Sequence, residues 1–416
     1  MPEFNEDSLP VKNLKSILQQ SFENEIEIDK AEWKYLTDPG ENFGSLIFAI
    51  DVTLICDSKT KLLHVVAKLP PPSSYLLKLF NSPCTFSKEL AFYKELTPEF
   101  LQLQRENGIL DPEFSWLGPH YIGGRMSLND NETFDNQASI VLENLNSSGY
   151  KMADRLIGLN KSQTEFAVKQ LAKFHAIGIA MREKKPKLFM KVVTPALVHV
   201  ANETAEQCVM DMIEKSIEDL SKIDEAKPYM NVVKKSIEIA GKTEIHKTKS
   251  DEMWCTLVHN DFWVNNMMFK FNESNDVIDM KIVDFQLCAY DFGVKDLIFF
   301  LISSPMNEII DDIFDDMVDV YYNSFIAALD VFKINVADYK KDHLLTLLEK
   351  CAPLKFAQCL MMAQVIKSQP GSAPDIETID NKESFLQIGG GKAHYDKLLQ
   401  ILNVFRKRGW IINSQK

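Results

Sequence analysis

A short β segment inside an otherwise helical stretch constrains this chain more than any other feature. The polar run His259-Asn260-Asp261-Phe262-Trp263-Val264-Asn265-Asn266 leads straight into an apolar strand, Met267–Phe271. A polar turn, Asn272–Asp276, follows, and then a second strand-like run, Val277–Asp284. A hairpin returns the chain to where it began, so Asp284 is expected beside the loop that ends at Asn266. Asp261 stands five positions before Asn266 on that same loop.

This spacing matches one kind of chemistry. Phosphoryl transfer needs a carboxylate near the acceptor hydroxyl and oxygen ligands for Mg²⁺. Asp261 is the candidate base, and Asn266 and Asp284 are the candidate metal ligands. Either element by itself would read as a polar loop or a turn; together and in this order they point to a kinase-type site. The tripeptide Asp291-Phe292-Gly293 spells the metal motif of protein kinases, but it follows Cys288-Ala289-Tyr290 and no adequate strand. Asp284 is therefore assigned to the metal and Asp291 to a loop.

The first third of the chain reads as β. Ser45–Cys56 is rich in Ile, Val, Leu and Phe, Asp57–Thr60 supplies a turn, and Lys61–Leu69 is a second apolar strand stopped by Pro70-Pro71-Pro72. Lys68, at the end of that strand, is placed to hold ATP phosphates as a point charge. Its expected partner is Glu89, at the edge of the inward stripe Phe86, Leu90, Tyr93 and Leu96 of a helix over 86–96, because a buried carboxylate needs a counter-charge. Gly40 and Gly44, with Ser45, precede the first strand of the pair and would let backbone amides approach phosphates. After the strand-like stretch Ala138–Leu145 the pattern turns helical, with a capping box at Ser162 and Glu165 and amphipathic stretches over 204–240, 308–331, 341–368 and 395–408. The arrangement predicts an α+β, bilobal chain, with a β-rich N-lobe over 1–143, a mainly helical C-lobe over 144–416, and a hinge near Leu142–Leu145.

Bulk composition narrows the function classes. A net charge of −13 argues against a nucleic-acid surface, since phosphate backbones reward clustered Lys and Arg. The acidic start lacks a signal-peptide pattern, and the longest apolar run, Leu297–Ile302, is too short to cross a bilayer. The seven cysteines form no CxxC pair, which reads as reduced thiols. A cytoplasmic protein without nucleic-acid or membrane partners is expected; the oligomeric state is not readable. His175, in Leu171–Ala176, reads as a structural core histidine. Gly389-Gly390-Gly391-Lys392 has neither the spacing nor the Ser or Thr of a Walker loop.

On these residues the chain resembles the insect ecdysteroid kinase-like (CHK kinase-like) family, related to aminoglycoside phosphotransferases and choline kinases. The segments that carry the resemblance are Gly40–Ser45, Ala67–Pro70, Phe86–Glu89 with Phe92-Tyr93, Val141–Leu145, Leu171–Ala176, His259–Asn266 and Val283–Leu287. The resemblance implies a protein-kinase-like (aminoglycoside phosphotransferase-like) fold, ATP and Mg²⁺ as cofactors, and a small-molecule hydroxyl as acceptor. It makes Asp261 the catalytic base, Asn266 and Asp284 the metal ligands, and Lys68 and Glu89 the phosphate-anchoring pair. Glu143, Asn144 and Leu145 become the adenine hinge, and Asp296 a structural acidic position. An ecdysteroid, another steroid or a hydroxylated xenobiotic is the implied acceptor. A choline- or ethanolamine-like alcohol kinase, or an inactive nucleotide- or ligand-binding module, stays open as an alternative. A protein kinase is disfavoured, because only a short segment separates Asp284 from Asp296 and the apolar helix that follows.

Overall fold

The computed structural model describes residues 8–36, 44–109, 116–129, 133–196, 202–243, 248–369, 376–382 and 391–411. Three long strands open the chain: β1 (Ile26–Tyr35), β2 (Leu46–Cys56) and β3 (Lys59–Leu69). The β2–β3 turn is tighter than the sequence suggests, because Asp57 and Ser58 both take left-handed backbone (φ 50° and 59°). Two such residues match the twist of the flanking strands, so β3 already begins at Lys59. With β4 (Tyr121–Arg125) and β5 (Ser139–Glu143) these strands form one antiparallel sheet in the order β1-β2-β3-β5-β4. Alternation along β2 sends Phe48, Ile50, Val52 and Leu54 into a core shared with Leu14, Ile17 and Leu18 of a short N-terminal helix. The opposite face carries Ile47, Ala49, Val66 and Lys68, with Ile47 opposite Lys68 and Ala49 opposite Val66.

The helix expected over 86–96 is longer. It runs Ser82–Ala91, loosens into a π-helical turn at Phe92–Leu96, and continues as Thr97–Glu106. Phe86, Tyr93 and Leu96 are buried as expected.

Past β5 the chain is mainly helical. The helix Lys161–Lys184 starts earlier than predicted, and its capping box is Asn160 with Gln163, not Ser162 with Glu165. Asn160 accepts from the Gln163 N–H while the Gln163 side chain accepts from the Asn160 N–H. The stretch 204–240 divides into Glu203–Ser221 and Met230–Lys242; Pro228, which has no N–H to donate, lies in the 3₁₀ turn between them. Val294–Ser303 is buried at every position but Lys295 and packs against Lys341–Ile366. Ile310–Val331 lies along Lys161–Lys184, and Gly391–Lys407 closes the bundle.

The predicted hairpin is present as β8 (Met267–Phe271) and β9 (Val277–Ile282), joined on one side by β6 (Lys151–Met152). A second small sheet was not anticipated: β7 (Cys255–Val258) pairs with β10 (Ala289–Phe292). Four-residue strands leave too short a period to read. Asp291 therefore sits in a strand opposite Thr256, not in a loop, and its carboxylate pairs with Lys295 at 2.5 Å. All seven cysteines are unpaired. Among the described residues no helix is long and apolar enough to cross a membrane.

One buried cation gives this bundle a measurable signature. Lys397 is fully buried and donates to the Ile302 carbonyl (2.7 Å) and to Asn307 Oδ1 (3.1 Å). Burial, aided by repulsion from Lys367, pulls its ammonium from the usual 10.5 down to about 7. Between those values the unfolded chain holds a proton that the folded protein has released, so stability rises with pH across that window. The contribution is at most about 1.4 kcal/mol per pH unit. Chemical denaturation of wild type and Lys397→Met at pH 7 and pH 9 should show the variant losing this slope. Parallel pH dependences in the two proteins would mean that Lys397 stays charged.

Candidate active site

β3 delivers Lys68 into the protein, where its ammonium is 2.6 Å from Glu89 and 2.8 Å from Asp284 Oδ1. Lys68 and Glu89 are both almost fully buried, and Asp284 is partly open. Burial opposes the charge on Lys68, but the Asp284 and Glu89 carboxylates outweigh it and hold the ammonium above its usual range. Burial pushes Glu89 up to about 7, against the pull of Lys68. These two shifts point to different charge states for the pair. Two short contacts from one ammonium favour the ion pair, because a neutral carboxyl would leave Lys68 with weaker compensation in a dry setting.

Asp284 comes two residues after the end of β9 and takes a left-handed conformation (φ 66°). That turn swings its carboxylate back toward Lys68. It is held from both sides: Val283 N–H donates to the Asn266 carbonyl (3.0 Å), and Phe285, fully buried, stacks on Phe92 at 4.0 Å between centroids. Gln286 donates to Asp284 Oδ2 at 3.4 Å.

The loop before β8 is fixed from below. His259 donates through Nε2 to the Val283 carbonyl (3.0 Å), which ties the loop to the strand leading to Asp284. The N–H groups of His259 and Asn260 donate to the two oxygens of Asp296 at 2.6 and 2.9 Å. Asn260 adopts φ 66°, a region that Asn tolerates better than most residues. Beyond this bend, Asn266 Nδ2 donates to both the carbonyl and the Oδ2 of Asp261, at 2.8 Å each. Among the described residues Asn266 Oδ1 accepts no hydrogen bond. Asp261 is partly exposed, yet burial, reinforced by the Asp284 charge, pushes its carboxyl up to about 7.

At the predicted hinge, Glu143 accepts from Ser148 Oγ (2.8 Å), and the N–H groups of Glu143 and Asn144 donate to the His120 and His64 carbonyls. The Leu145 N–H has no acceptor among the described residues. A separate apolar cluster of Leu145, Tyr150 and Met268, with Val283 against it, joins the hinge to the hairpin. Gly44 and Ser45 immediately precede β2, close in register to Lys68. Gly40 lies outside the described residues.

Lys68, Glu89 and Asp284 thus meet directly, and Asp261 meets Asn266. Sequence reasoning passed over the apolar residues facing this region, Ile47, Ala49 and Val66, although strand alternation with Lys68 marks them. It also gave Asp296 no partner, because the backbone N–H groups it holds are invisible to a side-chain pattern.

Among solved structures, the chain is similar to an ethanolamine kinase of Plasmodium vivax, with 12% identity, TM-score 0.41, and coverage of 92% of this chain and 84% of that one. A choline kinase from Cryptosporidium parvum gives 11% identity and TM-score 0.43, covering 96% and 94%. A GDP complex of a variant aminoglycoside 2′-phosphotransferase gives 13% and 0.41, covering 95% and 97%. No curated protein sequence matches. The sequence profile of the ecdysteroid kinase-like family matches residues 39–334, well over half of the chain. With a five-stranded antiparallel sheet supplying Lys68 and a helical lobe supplying the loop and hairpin, the fold is protein-kinase-like and bilobal. The chain belongs to the ecdysteroid kinase-like family and is a small-molecule kinase.

Proposed function

We propose that the chain uses ATP and Mg²⁺ to phosphorylate a hydroxyl of an ecdysteroid, another steroid or a hydroxylated xenobiotic. The observation that carries this reading is the meeting of Lys68, Glu89 and Asp284, from three distant segments, next to the loop bearing Asp261 and Asn266. In this reading Lys68, steadied by Glu89, contacts ATP phosphates, and Gly40, Gly44 and Ser45 bring backbone amides toward them. Glu143, Asn144 and Leu145 hold the base, with the Leu145 N–H as a spare donor and Met268 and Val283 as an apolar floor. The lobes divide at 143/144.

The donor set fits Mg²⁺. That ion prefers oxygen ligands and is commonly bound through one or two protein groups plus substrate phosphates. Asp284 and the uncommitted Oδ1 of Asn266 supply such ligands, and no group of three or more His, Cys, Asp or Glu among the described residues could cage a metal alone. When bound, the ion would neutralise charge on the transferring phosphoryl group. Asp261 receives the acceptor's proton at Oδ1 or Oδ2 and orients the hydroxyl. The family's name supports a steroid acceptor. The net charge of −13 supports a reading without nucleic acid, and seven unpaired cysteines support a cytoplasmic setting.

An ATP-consumption screen over ecdysteroids, other sterols, hydroxylated plant metabolites, choline and ethanolamine tests the reading. Turnover on a steroid is expected, with Lys68→Met lowering kcat/KM for ATP by about 10²–10³-fold, the cost typical of losing one preorganised donor. Turnover restricted to choline or ethanolamine would reassign the acceptor. ATP binding without turnover on any alcohol would reduce the protein to a binding module.

A further inference from the structure

His175, Tyr321 and Gly293 form a buried group that the phosphoryl-transfer reading does not use. His175 is completely buried in the helix Lys161–Lys184, and Tyr321 is buried in the helix Ile310–Val331. The Tyr321 hydroxyl lies 2.7 Å from His175 Nδ1, and His175 Nε2 lies 3.3 Å from Asp296 Oδ2. Asp296 in turn receives the N–H groups of His259 and Asn260. We propose that His175 and Tyr321 are positioning residues that set the Asp296 carboxylate and, through it, the bend carrying Asp261.

The directions are consistent along the chain. Tyr321 O–H donates to Nδ1, which leaves the proton on Nε2, and Nε2–H donates to Asp296. Asp296 then accepts three hydrogen bonds with two oxygens. Burial works against its charge, and the His175 hydrogen bond leads the contacts that outweigh it, so the carboxyl stays below its usual range. The backbone that carries the ring is also held. The Thr256 hydroxyl donates to the His175 carbonyl (2.6 Å), and the helix approaches β7 so closely at Gly178 that a Cβ there would fall 2.3 Å from Thr256 Oγ1.

Gly293 has the same logic. A Cβ at this position would lie 2.6 Å from His175 Nδ1 and 2.9 Å from the Tyr321 hydroxyl. The glycine that completes the misleading Asp291-Phe292-Gly293 string therefore makes room for the dyad. His175, read from sequence as core, is buried among apolar residues, but both its nitrogens are committed to polar partners, and one of these, Asp296, leads to the catalytic loop.

The kinetic part of the test rests on the kinase reading; the exchange part does not. Amide hydrogen exchange at His259 and Asn260 is measured in wild type, His175→Leu, His175→Gln and Tyr321→Phe, beside melting temperature, ATP affinity and kcat on whichever alcohol is accepted. His175→Leu is expected to raise exchange at these two amides at least tenfold and to lower kcat about tenfold or more, with ATP affinity within about threefold of wild type. In His175→Gln the amide nitrogen takes the place of Nε2, and it should restore most of the protection and rate. Tyr321→Phe, which removes one hydroxyl from a packed ring, should raise the same exchange about threefold or more, and it decides the matter if His175→Leu does not fold. Wild-type exchange at both amides in every folded variant overturns the proposal, whether or not an acceptor has been found. So does a rate loss in His175→Leu that His175→Gln fails to repair.

Discussion

Asp284→Asn is expected to lower turnover by about 10³-fold or more, the scale of losing several kcal/mol of metal-derived charge stabilisation. Asp291→Asn should leave it within a few-fold of wild type. The two residues lie seven positions apart and both precede a phenylalanine, but their surroundings differ. Asp284 is turned by its left-handed backbone onto Lys68, beside the Asn266 end of the hairpin. Asp291 is spent on Lys295, in a partly exposed pair of the kind that contributes about 0–1 kcal/mol. Lys68 keeps Glu89 when Asp284 is neutralised, so the variant should fold and its melting curve should stay close to wild type. The reverse ranking of the two variants would move the metal to the other strand.

Asp261→Asn should bind ATP with unchanged affinity and lose about 10²–10⁴-fold in kcat, the usual contribution of a positioned base. Its shape tolerance has a structural basis. Asn266 Nδ2 donates to the Asp261 backbone carbonyl and to Oδ2, and an asparagine at 261 can still offer a carbonyl oxygen to the second of these. The loop should therefore keep its bend while losing its charge. Calorimetry for ATP, set beside turnover on an accepted alcohol, separates the two effects. Normal ATP binding with kcat within about threefold of wild type would remove Asp261 from the proton transfer.

Local order set the limits of what could be read in advance. The β8–β9 hairpin was legible because two apolar runs flank a polar turn, and the helices over 310–331, 341–366 and 391–407 because their apolar residues recur at helical spacing. The capping box was displaced by two residues, because Ser and Asn are both acceptable caps and only the backbone N–H directions choose between them. β7 and β10 carry no such signal, as each has only four residues and each is stabilised by the other across thirty residues of intervening chain.

The sequence by itself determined which residues carry charge, which runs are strand or helix, and that Asp284 returns to Asn266, since a hairpin is closed by neighbouring hydrogen bonds. Only the tertiary structure decided that Lys68 reaches Asp284, 216 residues away, and that Asp296 grips the N–H groups of His259 and Asn260 while His175 and Tyr321 grip Asp296. The physical reason is range. A periodic pattern records how each segment contacts its own neighbours, whereas the site is closed by desolvated charges and backbone donors from segments that meet only when the helices and sheet have packed.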